Sequence, residues 1–133
     1  MHGRADRSHL PRLGPTIFAV TDCLFCAIVA GEIPATLVVE TDRVLAFRDI
    51  NPQAPIHVVV ISKTHYPDVA ALAAADDALL GELLRQAHYA ATAEGIGTSG
   101  YRVVFNTGAH AGQEVPHVHA HLLGGRSLTW PPG

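Results

Sequence analysis

The sequence has few aromatic residues, a single tryptophan, a single methionine and only two cysteines. Two cysteines cannot build the disulfide framework that holds small secreted domains together. No apolar run approaches the roughly 18 residues of a transmembrane helix, so no membrane span is expected. With a formal net charge of −3, the chain also lacks the basic excess typical of proteins that bind nucleic acid.

What the sequence does contain favours one small globular domain. The chain has 133 residues, of which 48% are hydrophobic and 16% are charged. This composition is too apolar for a disordered protein, and the length is too short for two ordinary domains. The compositional oddity is the nine histidines, as many as lysine and arginine together.

The first 20 residues are predicted to be a flexible tail ahead of a domain at 21–133. Basic and polar residues dominate this tail, and it lacks the apolar core of a secretory signal. A cytoplasmic location is therefore expected. The stretch that begins at Val20 looks like a start written with a valine codon, so residues 1–19 are expected to lie outside the native chain.

Apolar patterning predicts an α+β fold with a mainly antiparallel sheet of about five strands, one long helix and a short N-terminal helix. The predicted strands are 36–40, 44–48, 57–62, 101–105 and 117–123. The predicted helices are 23–29 and 76–94, and the apolar face of the long helix comprises Leu79, Leu80, Leu83, Leu84, Ala87, Ala90 and Ala91. A glycine inside a helix costs about 1 kcal/mol relative to alanine, so Gly81 is expected to mark a close helix contact.

The last predicted strand carries an unusual run of histidines. In a strand, His117, His119 and His121 share one face, while Val118 and Ala120 point to the other. Such a row is compatible with a polar solvent face, with metal ligands or with nucleophilic and acid–base catalysis. The glycine-containing loop just before the strand favours catalysis, because its backbone amides can approach a phosphate or an oxyanion.

The segment HVHAHLL resembles the H-φ-H-φ-H-φ-φ signature of the histidine triad (HIT) superfamily. The similarity extends to DCLFCAIVAGEIPA, VLAFRDINPQAPIHVVVISKTH, GQEVPHVHAHLLGGR and the final WPPG. With RDINPQAPIH and WPPG, the chain resembles the Hint branch of histidine triad nucleotide-binding proteins. This resemblance implies a HIT-like fold and a homodimer that hydrolyses the P–N bond of purine nucleoside 5′-phosphoramidates, adenosine phosphoramidates among them. It also implies AMP and related purine nucleotides as ligands.

The resemblance also implies a role for individual residues. His119 would attack the phosphorus and form a nucleotidyl-histidine, His121 would bind a phosphate oxygen, and His57 would be a further active-site histidine. Asp49 would hold the ribose hydroxyls, although a cap of its own loop explains this residue equally well. The implied purine pocket comprises Phe25, Ile28, Ile33, Phe47 and Ile50, which are otherwise ordinary core residues. The implied phosphate-side contacts are Asn106, Gly112, Gln113 and Val115.

Glu114 departs from the serine that better-known members of this family carry. A carboxylate at this position is able to steady a cationic amine or to act as an acid, but it also repels phosphate. We therefore expect Glu114 to take part in catalysis by influencing which amine leaves.

Cys23 and Cys26 form a C-x-x-C pair, which supplies half of the four ligands that structural zinc needs. The resemblance to bacterial-type members adds His65 and His117, which implies a Cys₂His₂ site. A redox pair would need a thioredoxin-like βαβ setting, and two thiols without metal are the other alternative. The zinc would be structural, with no metal required for the chemistry.

Three functional alternatives remain beside the phosphoramidase. The first is a dinucleoside polyphosphate hydrolase, against which the WPPG ending argues. The second is a nucleotide-binding or partner-binding module with little turnover, because Glu114 is able to weaken catalysis. The third is a zinc hydrolase that uses the triad as metal ligands.

Overall fold

The computed structural model describes residues 22–133, so the predicted tail and the expected start at Val20 lie outside the described residues. Along the chain, the elements are α1 (Leu24–Val29), β1 (Leu37–Glu40), β2 (Val44–Arg48), β3 (Ile56–Ser62), α2 (Val69–Ala75), α3 (Asp77–Ala93), β4 (Tyr101–Phe105) and β5 (His119–Gly124). A single 3₁₀ turn lies between β4 and β5. The α+β class is confirmed.

The five strands form one sheet in the order β1-β2-β3-β5-β4, and each neighbouring pair is antiparallel. The predicted antiparallel sheet is therefore confirmed. The histidine-bearing strands β3 and β5 are neighbours, with His119 opposite Ile61 and His121 opposite Val59. This register brings His57 and the triad strand onto one face of the sheet.

The two faces of the sheet are covered by different helices. One face packs against α3, and its fully buried residues include Ala120 and Leu122 of β5 and Val118, which precedes the strand. The opposite face carries α1 and a smaller cluster in which Phe25 packs with Phe47 and Val59. The alternation in the triad strand thus separates a hydrophobic core from a histidine-bearing face, as period-2 patterning requires.

Helix α3 begins and ends close to its predicted bounds. The carboxylate of Asp76 accepts a hydrogen bond from the amide of Leu79 at 3.0 Å, which is an N-cap. Gly95 follows the last turn with φ +80°, the left-handed conformation that glycine adopts most readily. Leu84 was predicted on the buried face but is 45% exposed, and Gln86 is buried instead.

The structure corrects two further predictions and adds one helix that was not predicted. A Cβ atom at Gly81 would have no heavy atom within 4 Å, so this glycine marks no close helix contact. Helix α2 was not predicted; it begins at Val69 and is capped by Asp68, whose side chain accepts from the Ala71 amide at 2.8 Å. Strand β5 begins at residue 119 and not at 117, because the amide of Val118 donates to Tyr66 outside the sheet.

Within residues 22–133, no helix has the length and apolarity needed to cross a membrane.

Candidate functional site

A cleft of about 550 Å³ opens on the face of the sheet that carries α1. Most of the predicted site residues line this cleft, namely Phe25, Ile28, Ile33, Phe47, Asp49, Ile50, His57, Asn106, Gly112, Glu114, Val115, His119 and His121. Residues that were not predicted line it too: Leu24, Pro34, Ala35, Arg48, Asn51, Gln53 and Val59. Val59 was predictable from strand alternation, since it lies two residues after His57 on the same face.

His119 is held in one tautomer by the main chain. Its Nδ1–H donates to the carbonyl of His117 across 2.7 Å, which leaves the lone pair on Nε2. The ring is 7% exposed and packs edge-on against Phe25, with 4.9 Å between the ring centroids. Burial lowers the pKa of His119 below its ordinary value of 6.5. The side chain therefore presents a neutral imidazole with one unprotonated nitrogen.

His57 and His121 form a second hydrogen-bonded arrangement. The amide of Gln53 donates to His57 Nδ1 at 3.0 Å, so the proton of the neutral His57 ring is on Nε2. That Nε2–H donates to His121 Nδ1 at 2.9 Å, which places the His121 proton on its own Nε2. Burial, with the neighbouring His119 and His57, lowers the pKa of His121 to about 4. His121 is thus a neutral hydrogen-bond donor beside His119.

Asp49 serves its own loop and the cleft at the same time. One carboxylate oxygen accepts from the amide of Asn51 at 2.8 Å, which is the loop cap that the sequence allows. The other oxygen lies 3.4 Å from His57 Nε2. The side chain remains partly exposed at the cleft, so a ligand is able to reach it.

The predicted apolar pocket combines buried and exposed residues. Phe25 and Phe47 are buried and meet edge to face, with 5.7 Å between their ring centroids. Ile33 is 38% exposed and Ile50 is 98% exposed, so these two residues form the rim of the cleft. A single exposed apolar side chain is ordinary on a protein surface, so it is the position of Ile50 on the rim of the cleft, and not its exposure, that places it within reach of a ligand.

The loop before β5 is shaped by Gln113, which the structure does not place in the cleft. The amide of Gln113 donates to the Gly108 carbonyl, and its side chain donates to the carbonyls of Pro67 at 2.8 Å and Val115 at 3.1 Å. Its main-chain amide and its side chain are therefore occupied by the protein. Gln113 thus holds the loop beside the cleft, and its predicted phosphate contact stays a prediction.

Glu114, next along this loop, lines the cleft with an exposed side chain. It has no hydrogen bond or ion pair with any residue between 22 and 133 at normal contact distances. Arg48, the cation of the cleft lining, is already paired with Glu94 at 2.9 Å. The carboxylate of Glu114 is therefore available to a ligand.

The four predicted zinc ligands meet behind the cleft. The ligand atoms of Cys23, Cys26, His65 and His117, which we call the Cys₂His₂ set, all lie within 4.8 Å of one another. His117 Nδ1 lies 3.3 Å from the sulfur of Cys23 and 3.1 Å from Nδ1 of His65. The sulfur of Cys26 lies 3.3 Å from Nδ1 of His65.

These distances fit a tetrahedral zinc ion. Ordinary Zn–N and Zn–S bond lengths separate two ligand nitrogens by about 3.3 Å and a nitrogen from a sulfur by about 3.5 Å. The ring Nε2–H of His117 donates to the Ser62 carbonyl at 2.7 Å, which keeps the lone pair on Nδ1 toward the set. Burial also lowers the pKa of His117 to about 4, so the ring is neutral as a ligand must be. The chain thus carries a Cys₂His₂ set suited to structural zinc.

A second group, formed by Asp49, His57 and His121, also places its ligand atoms within 4.8 Å of one another. Its hydrogen bonds disfavour a metal. Because His57 Nδ1 accepts the Gln53 amide, the nitrogen that faces the group carries a proton and has no free lone pair. The triad is therefore divided: the ring of His117 faces the Cys₂His₂ set, and the rings of His119 and His121 line the cleft.

Comparisons with known proteins agree with this architecture. A family model described as HIT domain matches residues 30–128. The structure of a HIT family hydrolase from Legionella pneumophila Philadelphia 1 is similar with a TM-score of 0.80 and 53% identity, covering 84% of this chain and 99% of that chain. The structure of a histidine triad nucleotide-binding protein from Candida albicans is similar with a TM-score of 0.71 and 32% identity, covering 82% of each chain.

A 14 kDa zinc-binding protein of Zea mays is 49% identical over 113 residues, which are 83% of this chain and 87% of that protein. The family model spans well over half of the chain. The match with this chain also covers most of the length of the Legionella hydrolase and of the maize protein. The chain therefore belongs to the HIT family.

Proposed function

We propose that this chain is a nucleotide-binding hydrolase that cleaves the P–N bond of purine nucleoside 5′-phosphoramidates through a nucleotidyl intermediate on His119. The observation that carries the proposal is the 2.7 Å hydrogen bond from His119 Nδ1–H to the His117 carbonyl. It leaves Nε2 unprotonated in a ring that lines the cleft, which is the state that a nucleophilic imidazole requires. The names of the similar hydrolase and nucleotide-binding structures support the same class.

In the first step, Nε2 of His119 attacks the α-phosphorus and the P–N bond to the amine breaks. The leaving nitrogen takes up one proton from solvent and departs as the neutral amine. The Nδ1–H of His119 keeps its bond to the His117 carbonyl, which favours the positive charge that the ring acquires. In the second step, water attacks phosphorus, the bond to His119 breaks, and AMP is released. The water gives up one proton, so the two steps together consume one water and no net proton.

His121 and His57 act on the phosphate during both steps. The hydrogen bond from His57 leaves a proton on Nε2 of His121, and this N–H is a donor for a non-bridging phosphate oxygen. The backbone of Gly112 and the side chain of Asn106 line the same cleft and are further candidates for such contacts. These donors are neutral, so they bind the phosphate oxygens by hydrogen bonds, where many other proteins use the charge of a lysine or an arginine.

The apolar part of the cleft suits a purine. Phe25 and Phe47 supply a buried wall, Ile50 supplies an exposed rim, and the carboxylate of Asp49 is able to accept two ribose hydroxyls. Glu114 then lies free for the amine side of the substrate. We propose that its carboxylate faces the leaving nitrogen, which carries positive charge once it is protonated, and that this favours amines with an additional ammonium group.

A structural zinc ion in the Cys₂His₂ set belongs to this proposal. When bound, zinc would cross-link α1 to the residues that lead into β5 and would hold the backbone next to His119. Thiolate ligands persist in a reducing compartment, which is consistent with the proposed cytoplasmic location. The similar maize protein is named for zinc binding.

We also propose that the chain forms a homodimer. Strand β4 lies at one edge of the sheet, and all five of its residues, Tyr101–Phe105, are only partly buried. An exposed edge strand presents unpaired backbone groups, which a second copy is able to pair. Size-exclusion chromatography with light scattering tests this directly, and a monomer at micromolar concentration would contradict it.

The decisive experiment incubates the full chain with an adenosine 5′-phosphoramidate. We expect release of AMP and, after rapid acid quenching, an adenylylated peptide that contains His119. His119→Ala should abolish both, while His88→Ala, a histidine outside both sites, should retain them. Turnover that survives His119→Ala would overturn the proposal.

The same assay separates the alternatives. A dinucleoside polyphosphate hydrolase would cleave diadenosine polyphosphates faster than the phosphoramidate, and a binding module would bind AMP without turnover. A zinc hydrolase would need a metal ion in the cleft, so full activity with a single zinc ion located in the Cys₂His₂ set would exclude it. The division of the triad and the protonated Nε2 of His57 argue against this last alternative.

A further inference from the structure

One residue, His117, belongs to both sites of the molecule. Its ring nitrogen Nδ1 lies 3.3 Å from the sulfur of Cys23, and its main-chain carbonyl accepts the Nδ1–H of His119 at 2.7 Å. The ring therefore belongs to the Cys₂His₂ set and the carbonyl belongs to the cleft. The peptide that contains this carbonyl is held in turn by the Val118 amide, which donates at 2.7 Å to the carbonyl of Tyr66, the residue next to the ligand His65.

Phe25 makes a second connection between the two sites. It lies between the two cysteines in the chain, and its ring meets His117 at 5.8 Å and His119 at 4.9 Å, both edge-on. Phe25 also lines the cleft, as do Leu24 and Ile28 from the same helix. Helix α1 has only six residues, which is too short to be stable alone, so its anchors determine where these three side chains lie.

Those anchors are the two cysteines of the Cys₂His₂ set and the packing of Phe25 against Phe47 and Val59. Without metal, the buried His117 ring keeps its 2.7 Å hydrogen bond to the Ser62 carbonyl, but its contacts with the sulfurs are weak because a thiol is a weak hydrogen-bond donor. A metal–ligand bond to the same nitrogen holds the ring and both sulfurs in one geometry. The stiffness of α1 and of the His117 main chain should therefore depend on metal.

We propose that His117 is a positioning residue through which metal occupancy of the Cys₂His₂ set controls the nucleotide cleft. With zinc bound, the His117 carbonyl holds His119 in the Nδ1–H tautomer, and α1 holds Phe25 against the His119 ring. Without metal, His119 exchanges between both tautomers and the wall formed by α1 becomes mobile. The metal thus acts on the cleft only through the chain's own residues.

The tautomer of His119 is measured from the ring ¹⁵N chemical shifts of the labelled full chain, with zinc and after chelation, at about pH 8, where free histidine is neutral. We expect the Nδ1–H tautomer alone in the zinc-loaded protein and a mixture in the metal-free protein. The same single tautomer in both states would overturn the proposal. This measurement does not depend on the proposed function.

The affinity for AMP is measured by calorimetry in the same two states, and this second arm rests on the proposed function. We expect the metal-free chain to bind AMP about tenfold more weakly, which corresponds to about 1.4 kcal/mol. Affinities that agree within about twofold would overturn control of the cleft by the metal. If the zinc-loaded protein binds no AMP at all, the proposed function fails, while the tautomer measurement still decides the coupling.

Variants of His65 separate coupling from general loss of structure. His65 is the exposed member of the Cys₂His₂ set, so His65→Ala removes one ligand with little loss of packing. His65→Cys keeps four ligands, because three cysteines and one histidine also form structural zinc sites. With zinc content measured for each protein, we expect His65→Ala to resemble the metal-free chain and His65→Cys to restore the tautomer and the AMP affinity.

His88→Ala, a substitution outside both sites, is the matched control and should resemble the parent. If circular dichroism shows that chelation unfolds the chain, the proposal is decided by the comparison of His65→Ala with His65→Cys. Equal His119 tautomers and equal AMP affinities in His65→Ala and His65→Cys, at unequal zinc content, would then overturn the proposal.

Discussion

The backbone amide of Gln53 donates to Nδ1 of His57 across 3.0 Å, and this contact places the His57 proton on the nitrogen that faces His121. The amide of Gln53 is thus connected, through the rings of His57 and His121, to the Nε2 proton of His121 that donates to phosphate in the proposed mechanism. Gln53 thus takes part through its amide, irrespective of its side chain.

The first prediction follows from that contact. Gln53→Pro removes the N–H donor, so His57 should lose its tautomeric preference and kcat should fall about tenfold, as expected for one lost positioning hydrogen bond. Gln53→Ala keeps the amide and is the matched control. Steady-state kinetics with an adenosine phosphoramidate and the ¹⁵N shifts of His57 measure the effect. Equal kcat in the two variants, both folded, would contradict it.

The second prediction concerns stability in acid. Burial and neighbouring imidazoles lower the pKa of His121 from 6.5 to about 4 in the folded chain. Between these two pH values the unfolded chain binds more protons at this residue, so its contribution to stability is present above pH 6.5 and is lost as the pH falls toward 4. Urea unfolding at several pH values should therefore show a shallower acid loss in His121→Asn than in the parent. Identical pH slopes would exclude this contribution.

The third prediction concerns Gly81 in the interior of α3. A Cβ atom there meets nothing within 4 Å, so Gly81→Ala should raise the free energy of unfolding by about 0.5–1 kcal/mol. Gly95→Ala is the opposite case, because φ +80° disfavours an L side chain and should cost about 1 kcal/mol. Denaturant titration measures both, and a destabilised Gly81→Ala would mean that the glycine has a role in the helix that its surroundings do not reveal.

The fourth prediction concerns the choice of leaving amine. Two adenosine phosphoramidates are compared, one that releases a neutral alkylamine with no further charge and one whose amine carries an additional ammonium group. The parent should prefer the charged substrate in kcat/KM, and Glu114→Gln should reduce that preference several-fold, because an exposed charge pair contributes up to about 1 kcal/mol. Glu114→Ser tests the residue found in better-known members of the family. An unchanged preference and unchanged turnover in both variants would remove Glu114 from the mechanism.

Local patterns in the sequence were sufficient for much of the fold. Alternation put Val118 and Ala120 in the core and the histidines on the other face, and an aspartate and a glycine marked the two ends of α3. These patterns are readable because side-chain direction in strands and helices repeats over a few residues. Helix α2 was not predicted because its sequence is mostly alanine and shows no contrast between a polar and an apolar face.

Local patterns do not reveal which residue performs which role in the site, because these roles depend on contacts between distant parts of the chain. His117 lies 94 residues from Cys23, and only the packing of α1 on the sheet brings the ring of one to the sulfur of the other. The occupied amide of Gln113 and the protonated Nε2 of His57 likewise follow from hydrogen bonds that residue type does not reveal.

The sequence by itself thus determined the α+β fold, the face on which the histidines lie and the residue types available for chemistry. The resemblance to the family assigned His117 to the metal set and His119 and His121 to the cleft, and only the tertiary structure decided which ring nitrogen carries each proton. The reason is physical: periodicity is a local property of the backbone, whereas a tautomer is set by whichever donor or acceptor the folded chain brings within hydrogen-bonding distance.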